Sequence, residues 1–112
     1  MVSLDYVPAS FSGSFIVPED VTYINWYAFS GCKKLTHVTI PEGVDHIDWG
    51  TFMNCESLTS VTIPASVTEI REYAFEGCEN LKSIALPEGL KHIGDFAFKD
   101  CENLTDAALP RT

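Results

Sequence analysis

Four cysteines, Cys32, Cys55, Cys78 and Cys101, stand 23 residues apart each time. Their number and spacing raise three chemistries: disulfide bonding, zinc ligation and nucleophilic catalysis. An even count in a short chain permits disulfides. Zinc needs four ligands around one point, usually supplied by C-x-x-C pairs, and the chain has no such pair. A thiol nucleophile needs a base beside it, and no histidine recurs next to the cysteines. The histidines form a second candidate group. His46 and His92 share one place in the 23-residue frame, with Glu69 between them and Tyr23 one copy earlier. Stacked, these four make a column that brings two imidazoles and a carboxylate to one side. Strand spacing puts the two imidazoles roughly 9–10 Å apart, too far for a single zinc ion. The column therefore reads as solvated and polar, and no metal is expected. No G-x-S-x-G, H-E-x-x-H or phosphate loop is present. Neither catalysis nor a cofactor is expected.

The frame around the cysteines is strict. Pro18, Pro41, Pro64, Pro87 and Pro110 keep the same step, and so do Phe29, Phe52, Phe75 and Phe98. Leu35, Leu58, Leu81 and Leu104 follow it, as do Ile24, Ile47, Ile70 and Ile93. A fixed period over four copies signals a solenoid, in which one coil cannot bury its apolar side alone and stacks on the next. Within one coil, Leu58, Val61 and Ile63 point inward while Thr59, Ser60 and Thr62 face out, a short-strand pattern. Pro64 then bends the chain. Val67 and Ile70 begin a second inward stretch. Ala74, Phe75 and Cys78 follow at helical spacing, which predicts a turn or two of helix or 3₁₀ helix. Gly31, Asn54, Gly77 and Asp100 stand next to the cysteines, where a left-handed residue closes that turn. Equivalent cysteines then lie about 4.7–4.9 Å apart with parallel Cβ bonds, poor geometry for a bridge. The preferred reading is a column of free thiols that donate weakly to nearby carbonyls.

Of the 112 residues, 46% are hydrophobic and 21% charged, which suits a folded domain. The net charge of −9 and the sparse Lys and Arg argue against nucleic acid. No apolar run approaches the ~20 residues of a membrane helix. The N-terminal stretch has neither the basic region nor the apolar core of a signal peptide. A trimmed secreted protein would look the same.

The repeat P-E-G-V-x-x-I-x-x-x-A-F-x-x-C-x-x-L-x-x-V-x-I, matched from Pro18 to Leu109, resembles the leucine-rich repeats of BspA-like, or treponemal-class, surface proteins. Only Thr51 replaces the alanine of A-F-x-x-C. The resemblance implies a mixed β/α solenoid. It would be a right-handed arc of four 23-residue coils, with a short parallel β-sheet on the concave face and short helical or 3₁₀ turns opposite. It also implies a secreted or cell-surface protein of bacteria or some protists, acting in adhesion or protein binding. The copies are 18–40, 41–63, 64–86 and 87–109. Residues 1–17 read as a degenerate N-terminal capping coil, with Phe15 and Val17 in strand positions, Ala9 in the cysteine position and Tyr6 in the phenylalanine position.

Recognition in such arrays belongs to the variable positions. The outward strand residues are Thr36, His37 and Thr39; Thr59, Ser60 and Thr62; Lys82, Ser83 and Ala85; and Thr105, Asp106 and Ala108. This flat, hydroxyl-rich surface can accept a protein or a glycan, or act only as a Thr ladder that stabilises the sheet. Trp26 and Trp49 occupy the position that carries Glu72 and Asp95 in later copies, so it should be exposed. Tyr27, Tyr73 and Phe96 fill the next one. Together they predict an apolar contact patch, unless the N-terminal segment folds over it. After Leu109 no polar cap follows, so the expectation is that either the natural chain continues or the open final strand pairs with a second copy as a homo-oligomer. Two functions remain: a non-catalytic interaction or adhesion module, or a structural spacer that self-associates.

Overall fold

The computed structural model describes residues 2–105; Asp106, Ala107, Ala108, Leu109 and the expected open C-terminal end lie outside them. Eight strands are present among the described residues: β1 (Val2–Leu4), β2 (Ser12–Ile16), β3 (Val21–Ile24), β4 (Lys34–Thr39), β5 (His46–Ile47), β6 (Ser60–Thr62), β7 (Glu69–Ile70) and β8 (His92–Ile93). All pairings are parallel. One sheet runs β2-β4-β6, a second β5-β7-β8, and β1 pairs with β3. The register joins His37 to Ser60 and His46 to Glu69 to His92, partners that are each 23 residues apart. The chain is thus a β-solenoid whose coil length equals its sequence period.

The prolines turn each coil from one sheet toward the other. Val21, Val44, Val67 and Leu90 each donate a backbone N–H to the carbonyl of the proline three residues back, at 3.1–3.2 Å. Proline suits this place because its own missing N–H is not needed by the turn.

Between the second sheet and the cysteine no helix forms, contrary to the sequence expectation. The reason is visible in the backbone. Two positions per coil are left-handed: Tyr27, Gly50, Tyr73 and Phe96 at φ 57–62°, and Gly31, Asn54, Gly77 and Asp100 at φ 60–76°. A helix needs an unbroken right-handed run with i→i−4 bonds. Here the amides alternate instead. Tyr27, Phe29 and Gly31 donate to Trp49, Thr51 and Met53 of the next coil at 2.8–3.0 Å. Ala28, Ser30 and Cys32 donate to carbonyls three residues back in their own coil. The next two coils repeat the inter-coil triplet at 2.7–3.3 Å. The left-handed residues expected at 31, 54, 77 and 100 are there, but they belong to a laddered double turn and not to a helix cap.

The core is a set of files. The rings of Phe29, Phe52, Phe75 and Phe98 stack at 5.0, 5.1 and 5.3 Å between centroids, with interplanar angles of 16°, 10° and 2°. This spacing follows the distance between hydrogen-bonded coils. Leu35, Leu58 and Leu81 and Ile47 and Ile70 are likewise fully buried. At the N-terminal side Phe15 meets Phe29 edge-on at 5.4 Å, and Phe11 meets Phe15 the same way at 5.2 Å.

The first coil departs from the expected frame. Val7, not Tyr6, takes the phenylalanine position: Val7 N donates to Ala28 O, as Phe29 N does to Thr51 O. Val7 is buried, whereas Tyr6 is 65% exposed and Ala9 is also exposed. The cause is a register shift inside β2. Gly13 pairs with Leu35, 22 residues on, but Ser14 pairs with His37, 23 on. Phe15 and Val17 do fall in the strand positions, beside Val38 and donating to Thr39 O respectively.

Candidate functional site: two clefts flanking Trp49

The cysteines form a file of free thiols, buried at Cys32, Cys55 and Cys78 and half-buried at Cys101. Cys55, Cys78 and Cys101 Sγ donate to the carbonyls of Phe29, Phe52 and Phe75 in the preceding coil at 3.0–3.1 Å. Cys32 Sγ reaches Val7 O at 3.7 Å. A cysteine is small and apolar enough for the core and still carries a weak donor for these carbonyls. Burial raises the Cys32 thiol and pushes Cys101 up to about 12. Contact with Cys55, and then burial, raises Cys78. Thiols held in the S–H form are poor nucleophiles and poor metal ligands. Among the described residues, no group of three or more His, Cys, Asp or Glu is placed to hold a metal ion.

The outward surface of β2-β4-β6 is internally satisfied. His37 Nδ1 lies 2.6 Å from Ser60 Oγ, and its Nε2 lies 3.2 Å from Thr62 Oγ1 and 3.4 Å from Thr39 Oγ1. Thr59 Oγ1 donates to Thr36 O at 3.1 Å. The hydroxyl groups of Thr39, Ser60 and Thr62 thus converge on His37, and that of Thr59 on the sheet backbone. Lys82, Ser83 and Thr105 are exposed and lie outside the strands. Lys82 N still donates to Thr59 O at 3.2 Å.

The aromatic residues lie on the laddered turns. Trp26 and Trp49 are 49% and 45% exposed, with ring centroids 6.2 Å apart and planes at 34°. The N-terminal segment does not cover them. Tyr27, Tyr73 and Phe96 are exposed as well, and Tyr73 stacks on Phe96 at 5.5 Å. Gly50 interrupts this aromatic file. A Cβ there would run into Cε1 and Cδ1 of Tyr27, so the glycine lets the Tyr27 ring lie across the neighbouring coil.

Trp49 stands between two surface clefts. The first, of about 360 Å³, is lined by Tyr23, Asn25, Trp26, Asp48, Trp49 and Arg71. Its centre is Asp48, which is only 7% exposed. The carboxylate accepts from Tyr23 OH at 2.8 Å and from Trp49 N at 2.7 Å. Arg71 Nη1 lies 3.6 Å away and His46 Nε2 3.7 Å away. Arg71 Nε also donates to Glu69 at 3.2 Å. Burial, then the bond to Asp48, raises the Tyr23 phenol. Asp48, a residue outside the column of Tyr23, His46, Glu69 and His92 read from the sequence, therefore joins Tyr23 and His46, and Arg71 connects it to Glu69. The position of Asp48 carries Asn25, Asp48, Arg71 and Gly94, which shows no repeat; the available signal was an acid and a base in adjacent copies of one position.

The second cleft, of about 340 Å³, is lined by Tyr27, Trp49, Glu72, Tyr73, Asp95 and Phe96. Neither Glu72 nor Asp95 has an ion pair or a side-chain hydrogen bond among the described residues. Lys99 Nζ lies 5.3 Å from the ring centre of Phe96, at the margin of this cleft. No helix among the described residues is long and apolar enough to cross a membrane.

Residues 10–112 match the model of the BspA type leucine rich repeat region. A leucine-rich repeat protein from Bacteroides ovatus is 38% identical, with a TM-score of 0.81 over 92% of this chain and 27% of its own. The T. pallidum leucine-rich repeat protein is 32% identical, with a TM-score of 0.82 over 93% of this chain and 50% of its own. A leucine rich cell surface protein from Faecalibacterium prausnitzii is 27% identical, with a TM-score of 0.71 over 89% and 33%. The chain thus spans half or less of the length of each of these proteins. No curated protein matches it significantly. The chain belongs to the BspA-type leucine-rich repeat family.

Proposed function

We propose that the chain is a non-catalytic interaction module that holds a protein partner on its aromatic face. One observation carries this reading: Trp26, Trp49, Tyr27, Tyr73 and Phe96 form a contiguous exposed set in a molecule whose other large apolar residues are mostly inside. Exposed aromatic groups of this kind supply rigid, amphipathic contact area and dominate interface energetics. The sheet face offers no comparable anchor, and the side chains of His37, Thr39, Thr59, Ser60 and Thr62 already have partners. A cell-surface setting agrees with the description of the F. prausnitzii protein as a cell surface protein.

Self-association is the second reading. It is favoured by Ile16, 74% exposed on β2, whose outer edge has no neighbour among the described residues. The double variant Trp26→Ser/Trp49→Ser separates the two. Circular dichroism should show the fold retained. Loss of capture from a panel of extracellular proteins, with light scattering unchanged, supports the first reading. A changed oligomer size in this variant, or in Ile16→Ser, supports the second.

A further inference from the structure

We infer that the second cleft is a receptor for a cationic side chain, an arginine or lysine carried on an extended segment of the partner protein. The inference rests on the reading of the aromatic face as a binding surface and names the chemistry of what that face takes. Three observations converge on it. The cleft is walled by π faces: Tyr27, Trp49, Tyr73 and Phe96 all line it. Its remaining lining groups are both carboxylates, Glu72 and Asp95, and neither is compensated by a cation among the described residues. The cleft on the other side of Trp49 shows what this chain does when it needs charge balance for itself: it places Arg71 beside Asp48. No such balance is built beside Tyr73.

A cation over an aromatic face within about 6 Å of its centre is attracted by the ring quadrupole. The Lys99 ammonium, 5.3 Å from the ring centre of Phe96, is an instance of that contact at one of these rings. A carboxylate beside the ring adds the charge-assisted hydrogen bonds that a guanidinium makes best. With 16 acidic and 7 basic residues, the whole chain also attracts positive partners at long range. A neutral sugar would stack on the tryptophan and donate hydroxyls to the carboxylates, but it would leave their two charges uncompensated.

The test uses fluorescence anisotropy of a labelled hexapeptide with two arginines in a Gly/Ser background. Its counterparts carry citrulline or lysine, and a hexamer of β-1,4-linked N-acetylglucosamine serves as a glycan competitor. The arginine peptide should bind at least tenfold more tightly than the citrulline peptide, and binding should weaken as salt rises. Lysine should bind more weakly than arginine and more tightly than citrulline. Glu72→Gln/Asp95→Asn should lower the affinity at least tenfold. Glu19→Gln/Glu42→Gln removes the same charge from a separate hollow beside Pro41 and should lower it less than threefold. Equal binding of arginine and citrulline, displacement by the sugar hexamer, equal losses in the two double variants, or no binding of any peptide would each overturn the inference. If the arginine peptide fails while Trp26→Ser/Trp49→Ser still abolishes partner capture, the inference falls and the binding face stands. If capture survives that variant, the binding face itself is lost.

Discussion

The two clefts beside Trp49 share a wall and differ in how they treat charge. Toward the N-terminal coils, a buried carboxylate is met by a phenol, an amide, an imidazole and a guanidinium. Toward the C-terminal coils, two carboxylates stand among four aromatic rings with no partner among the described residues. Desolvated charge destabilises unless it is paired, so the first cleft has to be complete to exist in the folded state. Exposed charge is solvated by water and can stay uncompensated at little cost. One cleft is therefore part of what holds coils together, and the other is left open for something outside. A single tryptophan belongs to both.

The largest break in this comparison should come from Asp48→Ala. It strips the acceptor from Tyr23, Arg71 and the Trp49 amide and should cost about 3 kcal/mol, read as a lower urea midpoint. Tyr23→Phe is a finer cut that removes one hydrogen bond to a charged group, at about 1.5 kcal/mol. It also carries a pH signature. The folded protein raises the Tyr23 phenol above its ordinary 10.0, so its contribution is complete below pH 10 and is lost as pH climbs through the higher folded value. The wild type should lose stability more steeply than Tyr23→Phe above pH 10. An identical slope for both would remove the Tyr23 to Asp48 bond from the stabilising set. Smallest of all is the effect of Glu72→Gln/Asp95→Asn on stability. These carboxylates should change unfolding by no more than about 0.5 kcal/mol. A loss as large as that of Asp48→Ala would show that the two clefts do the same structural work.

The period of 23 made the inner files legible before any coordinates, because stacking equivalent residues is the way a short coil buries its apolar side. Phe29, Phe52, Phe75 and Phe98 form one file, and each described proline carbonyl from Pro18 to Pro87 closes its turn. The helical turn was misread for a physical reason. Apolar residues at Ala74, Phe75 and Cys78 present the same spacing whether the backbone is a helix or a double turn with two left-handed residues. Tyr73 and Phe96 in that conformation run against ordinary preference, so nothing local announces it. The Tyr6 placement failed because the first coil changes register inside β2, and a fixed period cannot see a one-residue shift. Asp48 escaped the repeat pattern because its position varies from copy to copy, and only the acid and base in adjacent copies, Asp48 and Arg71, pointed to it.

Sequence alone determined the coil length, the identity of each inner file and which positions face out, since all three follow from periodic burial of apolar groups. Only the tertiary structure decided which outward groups satisfy one another. His37 meets Ser60 and Asp48 meets Tyr23 across coils, and such pairings depend on side-chain reach between stacked neighbours, a distance the linear order does not contain.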